Sequence, residues 1–218
     1  MDSHNQEFYT NMLNLKISGN RLVKKEGKCL EGMRKLIHIS GIFTIILAEI
    51  LGASFLSSII LCITMVYLIS EYLRLHGRSI PIVTKITGLA ARGEESSGWI
   101  LRPVSYAAGI LIAMNLFPKP INYAAISVLT LADGLASFVG TRFGHHHLPY
   151  NKKKTIEGST FFFIVSLLST LIFVNPTAAL LGSIVGTATE SILVEYTENL
   201  MIPITVGFSM SILLLLSC

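Results

Sequence analysis

Charged residues in this chain are confined to a few short stretches, and the runs between them hold almost no Lys, Arg, Asp or Glu. A soluble domain spreads such residues over its surface at roughly 25% of its length. Here they make up 14% of 218 residues, against 51% hydrophobic. Apolar runs of this kind belong in lipid, so the pattern is one of spans and loops and excludes an ordinary soluble domain. A helix needs roughly 20 apolar residues to cross the hydrocarbon core, because each adds about 1.5 Å. On that measure the chain is expected to be an all-α integral membrane protein with seven transmembrane helices. The predicted spans are Leu36–Leu51, Ala53–Leu73, Ile100–Phe117, Ile121–Thr141, Ser159–Val174, Thr177–Val194 and Leu200–Ser217. Gly52, residues 118–120 and Asn175–Pro176 make short turns, whereas 74–99 and 142–158 are longer and charged. Residues 1–33 form a polar N-terminal tail, and residues 34–218 the transmembrane domain. Phe8, Met12, Leu13 and Leu15 could lay part of the tail on the membrane surface. Met1 to Gln6 show no signal-peptide pattern.

The basic residues set an orientation. Of 17 Lys and Arg, sixteen fall in 16–35, 74–102 and 142–158, all on one side of the seven spans. Only Lys119 falls on the other. The positive-inside rule then predicts a cytoplasmic N-terminus and an external C-terminus. Cys29, Cys62 and Cys218 lie far apart, with no CxxC and no metal-ligand spacing, so neither a disulfide framework nor a zinc site is expected.

Ionisable groups in or beside spans are costly and need a reason. Arg34 and His38 open the first span, Glu71 and Arg74 end the second, and Asp133 lies inside the fourth. Glu157 opens the fifth, Glu190 and Glu195 close the sixth, and Glu198 and Asn199 open the seventh. All lie toward the predicted cytoplasmic half, and Glu49 is the exception. Several have plain structural readings. Arg34 and Arg74 could snorkel to lipid phosphates. Glu71 and Arg74 could pair at i,i+3. Glu157 could complement a helix N-terminus, and His38 could be a packing residue. Asp133 resists such readings, because in Leu129-Thr130-Leu131-Ala132-Asp133-Gly134-Leu135 a carboxylate needs a cation, a donor or water.

Ala132, Ala136, Gly140 and Gly144 recur every four residues beside Asp133 and make a small-residue seam for close helix approach. The loop that follows carries Arg142, Lys152, Lys153 and Lys154. Carboxylates beside a basic, glycine-containing loop suit a nucleotide with its metal: cations meet phosphates and carboxylates hold Mg²⁺. No Walker or protein-kinase glycine loop is present. His145, His146 and His147 read as a solvated loop, since adjacent residues rarely converge on one ion.

Four motifs in order resemble the CTP-dependent polyprenol kinases: the dolichol, phytol and farnesol kinases with a CTP-dependent diacylglycerol kinase branch. Arg34-Lys35-Leu36-Ile37-His38 resembles the family's Arg-Lys-x-x-His, and Glu71-Tyr72-Leu73-Arg74 its Glu-x-x-Arg. Asp133-Gly134-Leu135-Ala136, Gly140 with Gly144, and Lys154-Thr155-Ile156-Glu157-Gly158 resemble its longest signature. Glu190 and Glu198-Asn199 resemble the last motif, in which Asp commonly precedes the Asn. Lys is common where His145 stands. The resemblance runs from Arg34 to about Gly207.

That resemblance implies a lipid kinase moving the γ-phosphoryl of CTP to the hydroxyl of an isoprenoid alcohol of dolichol, phytol or geranylgeraniol type. It implies a multi-pass membrane enzyme whose site faces the cytoplasm, with Mg²⁺ as cofactor, a lipid alcohol and a nucleotide as partners, and no nucleic acid. Asp133 is expected to hold Mg²⁺ or to deprotonate the hydroxyl, with Glu190 and Glu198 as further metal ligands. Arg142 and Lys154 are expected to bind phosphates, with Arg74, Gly134, Gly140, Gly144, Glu157 and Gly158 in the same nucleotide site. His38 would contact substrate or act as a base, and Arg34, Glu71 and Asn199 are further candidates. The rivals are a CTP-dependent diacylglycerol kinase, a lipid-phosphate cytidylyltransferase, and a small transporter with Asp133 in an ion path.

Overall fold

A computed structural model describes residues 32–77, 99–193 and 196–216. The chain divides into two units, Met1–Arg34 and Lys35–Cys218, and the architecture below is that of the second. The tail residues Phe8 to Leu15, the basic residues Arg78, Lys85 and Arg92, and Glu195 lie outside the described residues, as do Cys29 and Cys218.

The described part is all-helical. After helical turns at 35–40 come α1 (Phe43–Leu51), α2 (Ala53–Leu75) and α3 (Arg102–Leu116). The next three segments, α4 (Ile121–Ser127), a π segment (Val128–Ala132) and α5 (Asp133–Phe143), run on as one long helix. Last are α6 (Ile156–Thr170), α7 (Pro176–Ile192) and α8 (Tyr196–Leu216). Among the described residues, three helices are long and apolar enough to cross a membrane: Ala53–Leu75, Ile121–Phe143 and Thr197–Leu216. Ile156–Thr170 is a shorter apolar helix.

Local chemistry sets the helix ends. Gly52 stands between α1 and α2 at φ 86°, the left-handed region where a side chain would be strained. The Asn175 side chain accepts the Ala178 N–H at 2.8 Å, and Pro176 follows at the first helical position, where its missing N–H costs nothing. The Thr155 hydroxyl does the same for the Gly158 N–H at 3.2 Å and starts α6. One predicted span departs from expectation. The apolar run Leu36–Leu51 is broken by a turn at Gly41–Ile42, where the Tyr106 hydroxyl bonds to the His38 carbonyl at 2.6 Å and sits where a Gly41 side chain would stand.

The Ile121–Phe143 helix is the centre: 61% of its most apolar window is buried, against 11% for Ala53–Leu75. Ala124, Ala125, Ile126, Val128 and Leu129 are fully enclosed, with Phe162 of α6 and Ile202, Val206 and Met210 of α8 in the same core. On the outside, Phe55, Ile63, Val66 and Ile69 of α2 and Phe43, Ile46 and Ile50 of α1 are exposed. A face this apolar is stable against lipid and not against water, which marks a membrane protein. Glu49, the residue out of place in the sequence, pairs with Lys119 at 2.9 Å, and Lys119 lies 5.0 Å over the Tyr123 ring. The exceptional carboxylate and the exceptional cation thus neutralise each other.

Candidate functional site

Asp133 is the first residue after the π segment and is 6% exposed. Its backbone N–H reaches back five residues to the Val128 carbonyl. In an α-helix it would have gone to Leu129. The Leu129 carbonyl, relieved of that partner, takes His38 Nε2 at 2.9 Å, and the same Nε2 lies 3.2 Å from Asp133 Oδ2. Both neighbours are acceptors, so Nε2 carries a proton and donates. π turns recur at functional sites because they release such groups. Gly134 permits the approach: a Cβ there would stand 2.8 Å from Ile39 and 3.5 Å from His38. Gly134 therefore packs the His38 segment against α5.

About two turns further along, α5 crosses the start of α6. A Cβ on Gly158 would lie 3.2 Å from Gly140 Cα, and one on Gly144 would lie 2.6 Å from Thr155. Only glycines let these backbones pass so closely. Lys35 reaches the same wall from the 35–40 turns, with Nζ donating to the Ser137 carbonyl at 2.9 Å and to Thr141 Oγ1 at 2.7 Å.

The basic loop is held on itself and on α7. Leu148 and Lys154 bond through the backbone at 3.0 Å, and the Ile156 N–H donates to His146 at 2.8 Å. The Asn151 amide donates to the Ser191 carbonyl at 3.0 Å and lies 3.3 Å from that of Ile192, capping the end of α7. This tether carries Lys154 to Glu190. Lys154 Nζ donates to Glu190 Oε1 at 2.7 Å and to Glu198 Oε2 at 2.6 Å, bridging α7 and α8. The other Glu190 oxygen accepts from Ser159 at 2.9 Å. Burial pulls the Lys154 ammonium toward neutrality, but the charges of Glu198, Asp133 and Glu190 outweigh it and hold its pKa above the ordinary lysine value. Asn151→Ala is expected to free the loop, costing about 1–2 kcal/mol for the lost caps and speeding hydrogen exchange at the Lys154 and Ile156 amides. Unchanged exchange would show that the tether lies elsewhere.

These elements enclose a cleft of about 560 Å³, lined by Arg102, Ser137, Gly140, Thr141, Gly144, Lys153, Lys154, Gly158, Glu190 and Glu198 among others. Among the described residues, no three of His, Cys, Asp and Glu stand close enough to form a metal site by themselves. The donor chemistry nevertheless fits Mg²⁺, which typically takes one or two carboxylates together with substrate phosphates. Glu190 and Glu198 already hold one cation between them.

The sequence candidates divide accordingly. Lys154, Glu190, Glu198, Gly140, Gly144 and Gly158 meet at the cleft, and Asp133 and His38 pair beside the same helix. Glu157 accepts from His146 Nδ1 at 2.7 Å on the exposed side of the loop. Arg142 is exposed and lies 5.7 Å over the Phe138 ring of its own helix. Arg74 grips Glu71 with two hydrogen bonds of 2.9 and 2.7 Å, the i,i+3 pair. The Asn199 side chain is near Ser105 at 3.5 Å, and Arg34 belongs to the other unit. Among the described residues, none of Arg142, Glu157, Arg74, Glu71 and Asn199 lines the cleft. Sequence reasoning missed Asn151, Ser159, Lys35 and Arg102 as site residues. Arg102 counted only as a topogenic charge, Lys35 stood in the Arg-Lys-x-x-His motif without a role, and only tertiary proximity reveals Asn151 and Ser159.

Known proteins bear on this site. The chain is 30% identical over 142 residues to a probable phytol kinase, chloroplastic, of Triticum aestivum, covering 62% of this chain and 46% of that protein. It is 44% identical over 59 residues to a farnesol kinase, chloroplastic, of Arabidopsis thaliana, covering 26% and 19%. It is 27% identical over 107 residues to CTP-dependent diacylglycerol kinase 1 of Eremothecium gossypii, covering 49% and 33%. The matched stretch is less than half the length of each of these relatives. No family model and no solved structure matches the chain. Relatives with these three names support a CTP-dependent polyprenol kinase-like family for this chain.

Proposed function

We propose that this protein is a lipid kinase that moves the γ-phosphoryl group of CTP to the hydroxyl of an isoprenoid alcohol. The observation that carries the reading is the cleft in which Arg102, Lys153 and Lys154 face Glu190 and Glu198 next to the buried Asp133–His38 pair. Phosphoryl transfer asks a protein mainly for positioning and charge neutralisation, and this cleft offers both. The phytol and farnesol kinase relatives favour an isoprenoid acceptor, and the diacylglycerol kinase relative favours CTP as donor. That last relative also supports diacylglycerol as a second reading for the acceptor.

In this reading the alcohol oxygen bonds to the γ-phosphorus. The bond from that phosphorus to the β,γ-bridging oxygen breaks, and CDP leaves with the electron pair. The hydroxyl proton passes to Asp133, because His38 Nε2 already carries a proton and serves to orient the carboxylate. Lys154 holds phosphate oxygens. A divalent metal held by Glu190 and Glu198 would neutralise charge on the transferring group. The isoprenoid tail stays among the lipids against the apolar helices, and seven spans bring the site to the cytoplasmic face, where nucleotide is found.

The test is to incubate purified protein and Mg²⁺ with a panel of nucleotides and lipid alcohols and to identify products by mass. Phosphorylated alcohol with CDP is expected. Pyrophosphate release would point to a cytidylyltransferase, and no product from any pair would overturn the reading. Orientation is tested separately. Tyr150 is exposed in the basic loop, so a Tyr150→Cys variant with Cys29, Cys62 and Cys218 replaced by Ser is expected, in sealed right-side-out vesicles, to react only with a membrane-permeant thiol reagent. Labelling by an impermeant reagent from outside would reverse the topology.

A further inference from the structure

Arg102 stands at the first position of α3, on the wall of the cleft. What holds it there is a clamp from α2. The residue two before it, Ile100, is 3% exposed and has both backbone groups tied to that helix. Its N–H donates to Glu71 Oε1 at 2.9 Å, and its carbonyl accepts the Tyr67 hydroxyl at 2.9 Å. Glu71 is itself 2% exposed and locked by Arg74 Nε and Nη2 at 2.9 and 2.7 Å. A buried carboxylate neutralised by one arginine is thus used to fix the chain entering α3. Its effect reaches the cleft through a single dipeptide, Leu101-Arg102.

The electrostatics of the cleft explain why a second fixed cation matters. Lys154 is already shared between Glu190 and Glu198. A nucleotide polyphosphate brings several negative charges to a wall that holds those two carboxylates. Guanidinium stays charged at any working pH and offers a planar fork of donors that matches phosphate oxygens two at a time. We propose that Arg102 contacts the nucleotide's phosphates, and that Glu71 is its positioning residue, acting through Ile100. The proposal rests on the kinase reading and gives the Glu-x-x-Arg pair a task outside the nucleotide site: it aims another arginine.

The experiment measures CTP binding and steady-state kinetics for wild type, Arg102→Ala, Arg102→Lys and Glu71→Gln, beside thermal melting in detergent. Loss of a hydrogen bond to a charged group predicts a fall in CTP affinity and in kcat/KM for CTP of about 10- to 100-fold in Arg102→Ala. The KM for the lipid alcohol is expected to hold, and Arg102→Lys to recover part of the loss as a point charge without the fork. Glu71→Gln is expected to shift the CTP KM in the same direction and to add little when combined with Arg102→Ala, since both act through one contact. A merely structural arginine would change melting and all kinetic constants together. If Arg102→Ala is too unstable to assay, Arg102→Lys decides: unchanged CTP affinity and KM in that variant overturn the proposal. Wild-type turnover with an unchanged CTP KM in Arg102→Ala removes the Arg102 assignment and leaves the kinase reading standing. Wild-type protein that neither binds CTP nor uses it removes both.

Discussion

Asp133→Asn is expected to reduce alcohol phosphorylation by a factor on the order of 10² to 10⁴, the range a positioned acid or base contributes, while the melting temperature holds or rises. Asn is almost the same size, so the packing of α5 against α6 is kept. Its side chain still offers an oxygen to His38 Nε2, 3.2 Å away in the parent. What it lacks is the charge and the capacity to take a proton. A carboxylate kept only for structure predicts the opposite, because removing a charge from the buried centre of an apolar helix is neutral or stabilising. The measurement is product formation by the Asn variant beside its melting curve. Near-wild-type turnover refutes the assignment of Asp133 to proton transfer or metal binding.

Lys154 carries the second large effect, and the structure changes its character. From the sequence, Lys154→Ala reads as a kinetic variant with the fold intact. In the structure the ammonium joins two carboxylates of low exposure, Glu190 and Glu198. Removing it leaves both facing each other without a counter-charge, which costs about 3 kcal/mol when one partner of a buried ion pair is deleted. Lys154→Ala is therefore expected to lower stability as well as kcat/KM for the nucleotide. Adding Glu198→Gln is expected to restore much of the stability and none of the activity. Double-mutant melting checks this: additive losses in Lys154→Ala/Glu198→Gln would mean that the pair is not coupled.

The helices could be read from the sequence because charge-free apolar runs mark them directly, and Ala53–Leu75 begins where composition places it. The turn at Gly41–Ile42 left no such mark, since the apolar run continues through it and the cause, Tyr106, lies far along the chain. The π segment is equally silent: Val128-Leu129-Thr130-Leu131-Ala132 is an ordinary helical string, and only the hydrogen bond from Asp133 to Val128 distinguishes it. At the site, the cost of burying Asp133 and Glu190 and the motif resemblance singled out residues that the fold does gather. Arg142 went the other way, because adjacency to a motif says nothing of which side of a helix a side chain takes. Asn151 could not be found from the sequence. Its role depends on the end of α7 lying beside a loop some forty residues earlier.

The π segment also sets the phase of the central helix. One extra residue in a helical turn rotates everything after it by about 100° relative to what came before. The half of the helix holding Ala124 and Ala125 and the half holding Asp133 and Gly134 are thus indexed independently, like two dials on one shaft. The first can keep its apolar faces aligned with α3 and α8, while the second keeps its carboxylate turned to His38. Excising a single residue from 128–132 would leave a more regular helix in which one of those alignments is lost. The irregularity at Val128–Ala132 is what allows one continuous helix to serve both as the pillar of the core and as a wall of the cleft.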